Sequence, residues 1–469
     1  MNDTKILNFF KEIHDSNIEY VVWKNSNLIN KFFLGTENLD IYVDINNYKK
    51  LKKILNKYQW IKLINNLRNY KFIDHYFLFT KFKTYHLHIY SRLITGDSIL
   101  KEYDFSIFIN TKHKYFSKKY NLWILDYNIQ YFLFKLRFII KNKNIIGKLL
   151  LKKQKKYFID EMSYLKNFKN RNDEYYNELN KKYLLNCKIN DDLELINFQN
   201  KSKIINNLKK FKIRNSSSIF FIYLKFFIKF FQKKILKRKS FKLEKGLSIF
   251  ISGCDASGKS TILNEICKIY QDKIDIKTFT IAKPYPNFII NFAIKKKYKE
   301  IKLNNKNYKS KKNSYFSIIR DLNLSFLRYI VSIRINKFKK NNYLVISDRY
   351  VSSYYKQING PRIYNNTNNF IFIIFRKIEL YFYSIIKSLD IEIKLRTKLD
   401  IAIRRNNQRK KGMIKNKEEI IERFHLFEKS IFKSEKMYEY QNNKYLSESM
   451  DDLLILFNKV ILSKTNDYY

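Results

Sequence analysis

The stretch Gly253-Cys254-Asp255-Ala256-Ser257-Gly258-Lys259-Ser260-Thr261 decides how the second half of the chain is interpreted. Its spacing matches G-x-x-x-x-G-K-[ST], the pattern of a P-loop. The 469 residues include only 8 glycines, so two at this spacing form a specific signal. A P-loop curls its backbone N–H groups around a phosphate, and a side chain at either glycine would block the curl.

The segments on either side of this loop fit the same interpretation. Residues 247–252 form an apolar run that predicts a buried strand, and residues 261–266 predict the beginning of a helix. The N-terminus of that helix would face the phosphates. The sequence therefore predicts that residues 253–261 bind a nucleoside triphosphate together with a magnesium ion.

Composition narrows the class of protein. The three cysteines have no metal-ligand spacing and are too few for a disulfide framework, which indicates a reducing interior such as the cytoplasm. The N-terminus leads into an amphipathic pattern, so no signal peptide is predicted. No apolar run reaches about 18 residues without a charge, which argues against a spanning helix.

The formal net charge of +51 has two interpretations. Lys, Asn, Ile, Phe and Tyr dominate everywhere, as expected if AT-rich coding has changed tolerant surface positions. Alternatively, the surface attracts polyanions such as nucleic acids or anionic lipids. The compositional interpretation is favoured, and nucleic acid remains an open partner.

Three parts are predicted along the chain. After the loop, strand-like runs at 276–281, 343–347 and 390–395 alternate with helical patterns, which predicts an α/β domain at 246–469 with helices on both faces of a parallel sheet. Residues 1–115 predict a small α+β domain that includes a hairpin at 75–90. Residues 116–245 have helical periodicity and no proline, which predicts a helical spacer.

A second motif narrows the chemistry of the α/β part. Asp348-Arg349-Tyr350 follows the strand predicted at 343–347, and together with the loop 253–261 it resembles the thymidylate kinases of the nucleoside monophosphate kinase group. The resemblance covers residues 246–469. It implies a P-loop kinase that uses ATP and Mg²⁺ to phosphorylate a small acceptor.

The resemblance also implies roles for single residues. Lys259 would bridge the transferred phosphate, while Ser260 and Asp348 would hold magnesium. These residue types suit phosphoryl transfer, which depends on positioning and on neutralising charge spread over oxygens. Asp255 would approach the sugar of the acceptor, and Arg349 would bind its phosphate. The residues expected to contact the acceptor are Asp255, Arg328, Arg349 and Tyr350.

A basic segment lies where the family has its lid. The helix predicted at 398–406 leads into Gln408-Arg409-Lys410-Lys411-Gly412. Because the loop 253–261 contains no arginine, the cation that stabilises the transition state would come from this lid, as in the bacterial subgroup. The candidates are Arg404, Arg405 and Arg409. The alternative is a solvated basic helix end favoured by the helix dipole.

Some positions depart from the family. Ala256 stands where the family has its second P-loop glycine, and Lys283-Pro284-Tyr285-Pro286 stands where an Arg-x-Pro-Gly-Gly segment helps to form the acceptor pocket. A lysine lacks the planar fork of arginine, so we expect dTMP to be a poor acceptor. Arg328 lies near the position of another phosphate-binding arginine, with a helix-surface arginine as the alternative.

The first part resembles a degenerate nucleotidyltransferase domain. Residues 34–44 match the glycine-turn-strand of that fold, where two aspartates at i and i+2 hold magnesium, but Asn38 replaces the first and only Asp40 remains. A neutral amide is a poor magnesium ligand, so no nucleotidyl transfer is expected. His86 and His88 alternate onto one strand face, with His75 in the same hairpin, which leaves open a metal or phosphate site or ordinary packed histidines.

Two further observations bear on partners. The segment 219–239 is aromatic and basic, which is typical of a helix lying in an anionic membrane interface. An interdomain helix is the favoured alternative, because Lys225 and Lys229 share one face and leave the rest for packing. The order of the three parts resembles proteins of bacterial surface-polysaccharide gene clusters, which implies an acceptor other than a DNA precursor.

Three functions remain open from the sequence. The first is a phosphotransferase of the nucleoside monophosphate kinase type, and the second is a kinase that acts on a polynucleotide or glycan. The third is a nucleotide sensor without catalysis. The presence of Lys259, Ser260, Asp348 and Arg349 favours catalysis, since a sensor would not need an arginine for the acceptor.

Overall fold

The computed structural model describes residues 2–67, 69–97, 99–109, 113–143, 145–170, 173–189, 195–196, 201–213, 219–235, 239–281, 284, 315–363, 370–408 and 415–465. The chain divides into two compact units. The first runs to Lys242 and also includes the described residues from Ile461 to Thr465, while the second runs from Leu243 to Val460.

The first unit combines a mixed sheet with helices. Its strands are β1 (Tyr20–Val22), β2 (Asn38–Val43), β3 (Ile61–Asn65), β4 (Ile73–Phe79), β5 (Thr84–Tyr90), β6 (Ile94–Thr95), β7 (Tyr103–Asp104), β8 (Lys114–Ser117), β9 (Leu122–Leu125), β10 (Lys188–Ile189), β11 (Leu195–Ile196) and β12 (Phe241–Leu243). Its helices are α1 (Asn2–Asp15), α2 (Ile29–Phe33), α3 (Ile45–Lys57), α4 (Tyr127–Lys141), α5 (Ile145–Lys153), α6 (Lys155–Phe168), α7 (Glu174–Leu184), α8 (Lys201–Leu208) and α9 (Ile219–Ile235). The main sheet has the strand order β12-β3-β4-β5-β2-β1-β9-β8.

The inner boundary predicted near residue 115 differs from the structure. Residue 115 lies inside β8, which pairs with β9 in the main sheet. Helix α4 is buried from Asn128 to Ile140, and its side chains share a core with Val21 and Trp23. The helices after residue 116 therefore belong to the first unit rather than to a separate spacer, because α4 is buried on all its faces.

The second unit is a parallel sheet with helices between its strands. Its strands are β13 (Leu247–Gly253), β14 (Ile276–Phe279), β15 (Leu344–Ser347), β16 (Leu389–Arg396) and β17 (Ser434–Gln441). Its helices are α10 (Lys259–Gln271), α11 (Tyr315–Lys340), α12 (Phe370–Ile385), α13 (Leu399–Asn407), α14 (Lys417–Glu428) and α15 (Leu446–Thr465). The strand order is β14-β15-β13-β16-β17, and all pairs are parallel, which confirms the predicted α/β class.

Strand β13 occupies the centre of this sheet and ends in the loop 253–261. After β13 the chain forms β14 and β15, which both lie on one side of β13. The next strand, β16, lies on the other side, so the strand order reverses at β13. Ligands of open parallel sheets bind outside the carboxyl ends of the strands at such a reversal. The topology therefore puts the loop at the edge where a ligand is expected.

Strand β16 is buried although it carries charged residues. Asp390 accepts hydrogen bonds from the backbone N–H (2.8 Å) and Oγ (2.7 Å) of Ser248 and also pairs with Lys339. Glu392 accepts from the Oγ of Ser252 at 2.5 Å. A buried carboxyl group is tolerated when such partners satisfy it. These contacts join β16 to β13, the strand that leads into the loop.

Candidate functional site

The loop 253–261 has the curled backbone that its glycines predict. Gly258 has φ +88° and Ala256 has φ +62°, both in the left-handed region. A Cβ on Gly253 would lie 2.3 Å from the Oγ of Ser257, so the tight turn requires glycine there. Ala256 adopts this conformation with a side chain, at a cost of about 1 kcal/mol. The replacement of the family's glycine at Ala256 thus leaves the curl intact.

Lys259 begins helix α10 and folds back over the loop. Its Nζ donates to the carbonyl oxygens of Gly253 (3.0 Å) and Cys254 (2.6 Å), and lies 3.4 Å from the Oγ of Ser257. Its ammonium group is therefore held against the loop by these oxygen atoms.

The electrostatic surroundings of Lys259 bring several predicted residues together. Burial, assisted by the positive charge of Arg349, lowers the pKa of Lys259 to about 8, while Asp255 and Asp348 act in the opposite direction. Arg349 and Asp348 thus lie within electrostatic range of the loop lysine. This was expected, because β13 and β15 are neighbours and both end at the same edge.

Asp348 and Ser260 offer oxygen atoms that suit magnesium. The Oδ1 atom of Asp348 is buried and has no hydrogen-bond partner within the described part of the chain. Ser260 is exposed in the first turn of α10. Magnesium is commonly held by one or two protein oxygens together with substrate phosphates, so these residues fit the ion. Among the described residues, no group of three or more His, Cys, Asp or Glu side chains could hold a metal alone.

Asp255 lies in an ion-pair cluster that sequence reasoning missed. Its Oδ2 atom is 2.5 Å from the Nζ of Lys415 and 3.1 Å from the Nη1 of Arg423. Burial opposes ionisation, but the neighbouring cations outweigh it and lower the pKa of Asp255 to about 2. Lys415 lies two residues before α14 and Arg423 lies on it, so both cations follow the predicted lid in the sequence.

The arginines predicted around the lid have different surroundings. Arg404 is exposed on α13. Arg405 donates to the carbonyl oxygens of Asn442 (2.9 Å) and Lys444 (2.8 Å), and the Nδ2 of Asn442 donates to the carbonyl of Ser257 at 2.7 Å. Arg405 therefore braces the loop through Asn442. Arg409 lies outside the described residues.

Arg328 is a core residue, which corrects its prediction as a phosphate-binding or surface arginine. It lies on α11 and has 0% exposure. Its guanidinium group donates to the carbonyl oxygens of Ile281 (3.3 Å) and Asn359 (2.9 Å) and to the hydroxyl of Tyr383. These bonds hold neighbouring backbone segments together and leave no exposed surface for an acceptor phosphate.

Tyr350 also belongs to the core, which corrects its prediction as an acceptor contact. Its ring lies beside Phe250, and its hydroxyl donates to the carbonyl of Lys387 at 2.6 Å. Burial raises the pKa of Tyr350 well above its usual value. Of the acceptor segment predicted at 283–286, only Pro284 lies within the described residues.

In the first unit, Asp40 is already neutralised by the protein. Its Oδ1 is 3.1 Å from the Nζ of Lys24 and 2.9 Å from the Nδ1 of His88. The side-chain amides of Asn25 and Asn38 donate to its Oδ2 at 3.0 and 2.8 Å. Burial works against ionisation, but Lys24 and His88 hold the pKa of this carboxyl well below its usual range. The ammonium group of Lys24 pairs with this carboxylate in the place of a metal cation. These residues therefore do not fit a catalytic magnesium ion.

The three histidines of the hairpin form a stack. The rings of His75 and His88 are 4.4 Å apart, the ring nitrogens of His75 and His86 are 3.1 Å apart, and His86 stacks on Phe77 at 4.1 Å. Burial lowers the pKa of both His75 and His88, so these two imidazoles are neutral near pH 7. Of the two alternatives from the sequence, the geometry agrees with packed histidines.

Comparisons with known proteins add little to this picture. No protein-family model matches the chain, and no curated protein matches it. One solved structure with detectable similarity is a deoxyadenosine kinase from M. mycoides, solved with the products dCMP and a flexible dCDP bound. It has 18% sequence identity and a TM-score of 0.28, and the match covers 45% of this chain and 99% of that chain. A TM-score this low does not assign a fold.

Proposed function

We propose that the second unit is an ATP-dependent phosphotransferase of the nucleoside monophosphate kinase type. The observation that carries this proposal is the curled loop with Gly253, Ala256 and Gly258, at the end of the central strand of a parallel sheet. Asp348 and Arg349 follow the neighbouring strand and reach the same edge. A nucleotide site at this edge is what the topology favours.

Different groups of the loop would bind different parts of the phosphate donor, ATP. Backbone N–H groups and the N-terminus of α10 would receive the phosphates. Lys259 would exchange the carbonyl oxygens of Gly253 and Cys254 for phosphate oxygens, and Ser260 and Asp348 would hold magnesium. Bound magnesium neutralises part of the phosphate charge during transfer.

The acceptor would be a small molecule that carries a phosphate or a comparable anion. Arg349 offers a planar fork for it, and ionised Asp255 would accept a hydrogen bond from a hydroxyl group. Because Lys283 stands in place of the family's arginine, dTMP is expected to be a poor acceptor. A nucleoside monophosphate other than dTMP and a sugar phosphate are the classes to test first.

The cellular compartment forms part of the proposal. Cys187, Cys254 and Cys267 are all buried. Cys254 lies inside the loop, where oxidation would add bulk beside Lys259 and disturb the phosphate site. We therefore place the enzyme in a reducing compartment, the cytoplasm.

Transfer of label from ATP tests the function. The full chain is incubated with labelled ATP and magnesium, with nucleoside monophosphates, sugars, sugar phosphates and short oligonucleotides as acceptors. Lys259→Ala is compared with Lys268→Ala, an exposed lysine on the same helix that pairs with Glu265. We expect transfer to a small phosphorylated acceptor that Lys259→Ala abolishes and Lys268→Ala retains. Equal transfer by the two variants, or transfer to none of these acceptors, contradicts the proposal.

A further inference from the structure

Helix α9 carries an exposed row of large apolar side chains. The row consists of Phe221, Leu224, Ile228, Phe231 and Ile235, whose spacing of three and four residues puts them on one side of the helix. Their side chains are between 46% and 76% exposed. We call these five residues the apolar row. Such a continuous exposed row normally marks an interaction site.

Lysines line the sides of the apolar row. Lys225 and Lys229 follow one another at i and i+4 along one side, and Lys234 lies on the other. The helix contains no acidic residue from Ile219 to Ile235. The exposed side of α9 is therefore apolar along its middle and positive along its edges.

Part of the opposite side of α9 contacts the first unit. The hydroxyl of Tyr223 donates to Asp97, and the Nζ of Lys233 donates to the Oγ of Ser240 at 2.8 Å. Tyr223 and Phe226 are less exposed than the apolar row. These contacts orient the helix so that the apolar row faces away from the unit. The interdomain helix favoured from the sequence stays a prediction.

The charge pattern decides which partner fits. A second copy of α9 would bring lysines against lysines, with no carboxylate on the helix to offset them, and like charges repel. A nucleic acid would attract the lysines but would leave most of the apolar row in water. An anionic bilayer matches both features, because its headgroups attract the lysines while the boundary of its acyl chains buries the row.

We propose that α9 binds parallel to the surface of an anionic membrane, with the apolar row inserted at the headgroup boundary. The 17-residue helix is about 25 Å long, since each residue rises about 1.5 Å. Within the described residues, no helix is long and apolar enough to cross a bilayer. The proposal depends only on α9 and is independent of the phosphotransferase activity.

Flotation of the full chain with vesicles tests this proposal. One set of vesicles is phosphatidylcholine, and the other contains about one-third phosphatidylglycerol, an anionic lipid. We expect binding to the anionic set at low salt and release at high salt, because the Debye length falls from about 10 Å at 0.1 M to about 3 Å at 1 M. The double variant Phe221→Ser/Phe231→Ser should reduce the affinity by about tenfold or more.

Matched variants distinguish insertion of the apolar row from nonspecific hydrophobic binding. Phe82 is 77% exposed in the first unit, outside α9, and Phe82→Ser should leave binding unchanged. Lys225→Gln/Lys234→Gln should weaken binding to anionic vesicles. Three results would overturn the proposal: no binding at low salt, equal binding by the Phe221/Phe231 double variant, or dimerisation that the same double variant abolishes. Circular dichroism and an unchanged melting temperature show that each variant is folded.

Discussion

Nucleotide affinity should depend on pH through Lys259. Burial and the charge of Arg349 lower the pKa of this lysine to about 8 in the free protein. The protonated ammonium binds phosphate, whereas the neutral amine does not attract it. Raising the pH through about 8 removes the proton from free Lys259, so the affinity for magnesium-ATP should fall as the pH rises.

The size of this effect follows from the protonated fraction. With a pKa of about 8, roughly nine-tenths of Lys259 is protonated at about pH 7 and roughly one-tenth at about pH 9. If only the protonated form binds, the Kd rises about tenfold across this range, equal to about 1.4 kcal/mol. The terminal phosphate loses its last proton near pH 6 in comparable monoesters, so it remains ionised throughout.

Isothermal titration calorimetry at several pH values measures the effect. Two buffers with different ionisation enthalpies should also show proton uptake on binding near pH 8. Lys259→Arg is the control, because a guanidinium stays charged and should remove the pH dependence even if it weakens binding. A wild-type Kd that stays constant between about pH 7 and about pH 9, or an equal slope in Lys259→Arg, would refute the reasoning.

Three further variants test individual residues. Arg328→Met leaves the carbonyl oxygens of Ile281 and Asn359 without a buried donor, so the free energy of unfolding should fall by about 3 kcal/mol in chemical denaturation. Normal stability together with weakened acceptor binding would restore the phosphate-binding role of Arg328. Asp348→Asn should raise the magnesium concentration for half-maximal turnover by about tenfold, and an unchanged requirement would remove Asp348 from the metal site. Arg405→Ala should lower kcat by less than about tenfold, whereas loss of a transition-state arginine costs about a thousandfold.

The loop chemistry could be predicted because it is local in the sequence. The curl needs glycine at Gly253 and Gly258, and both lie within a few residues of Lys259, so spacing alone identifies them. The positions of Asp348 and Arg349 could also be predicted, since they follow a strand that a parallel sheet brings beside β13. These two residues differ from the glycines only in being far from Lys259 along the sequence.

The surroundings of three predicted residues could not be inferred from the sequence. Arg328 and Tyr350 have polar groups that predict a site or a surface, yet their partners are backbone carbonyls about 30 to 50 residues away that only the fold supplies. Asp255 meets Lys415 across 160 positions of the sequence. In a chain with 93 Lys and Arg residues, no local pattern marks the one that pairs with a given carboxylate.

The extent of the first unit was hidden for a related reason. Strand β12, at Phe241–Leu243, lies beside β3 in the main sheet, and the backbone N–H of Asn66 donates to the carbonyl of Ser240. A three-residue strand has too few side chains to show a period in the sequence. In the sequence, the helices between β9 and β12 therefore resemble a spacer. Only the structure shows that they share a core with the sheet.

The central claim is that the loop 253–261 binds a nucleoside triphosphate through Lys259. Calorimetric titration of the full chain with magnesium-ATP at about pH 7, where free Lys259 is mostly protonated, tests this most directly, with Lys259→Ala and Lys268→Ala measured in parallel. We predict binding by the wild type and by Lys268→Ala, and loss of binding in a folded Lys259→Ala. Unchanged affinity in Lys259→Ala would contradict the assignment of the phosphate site.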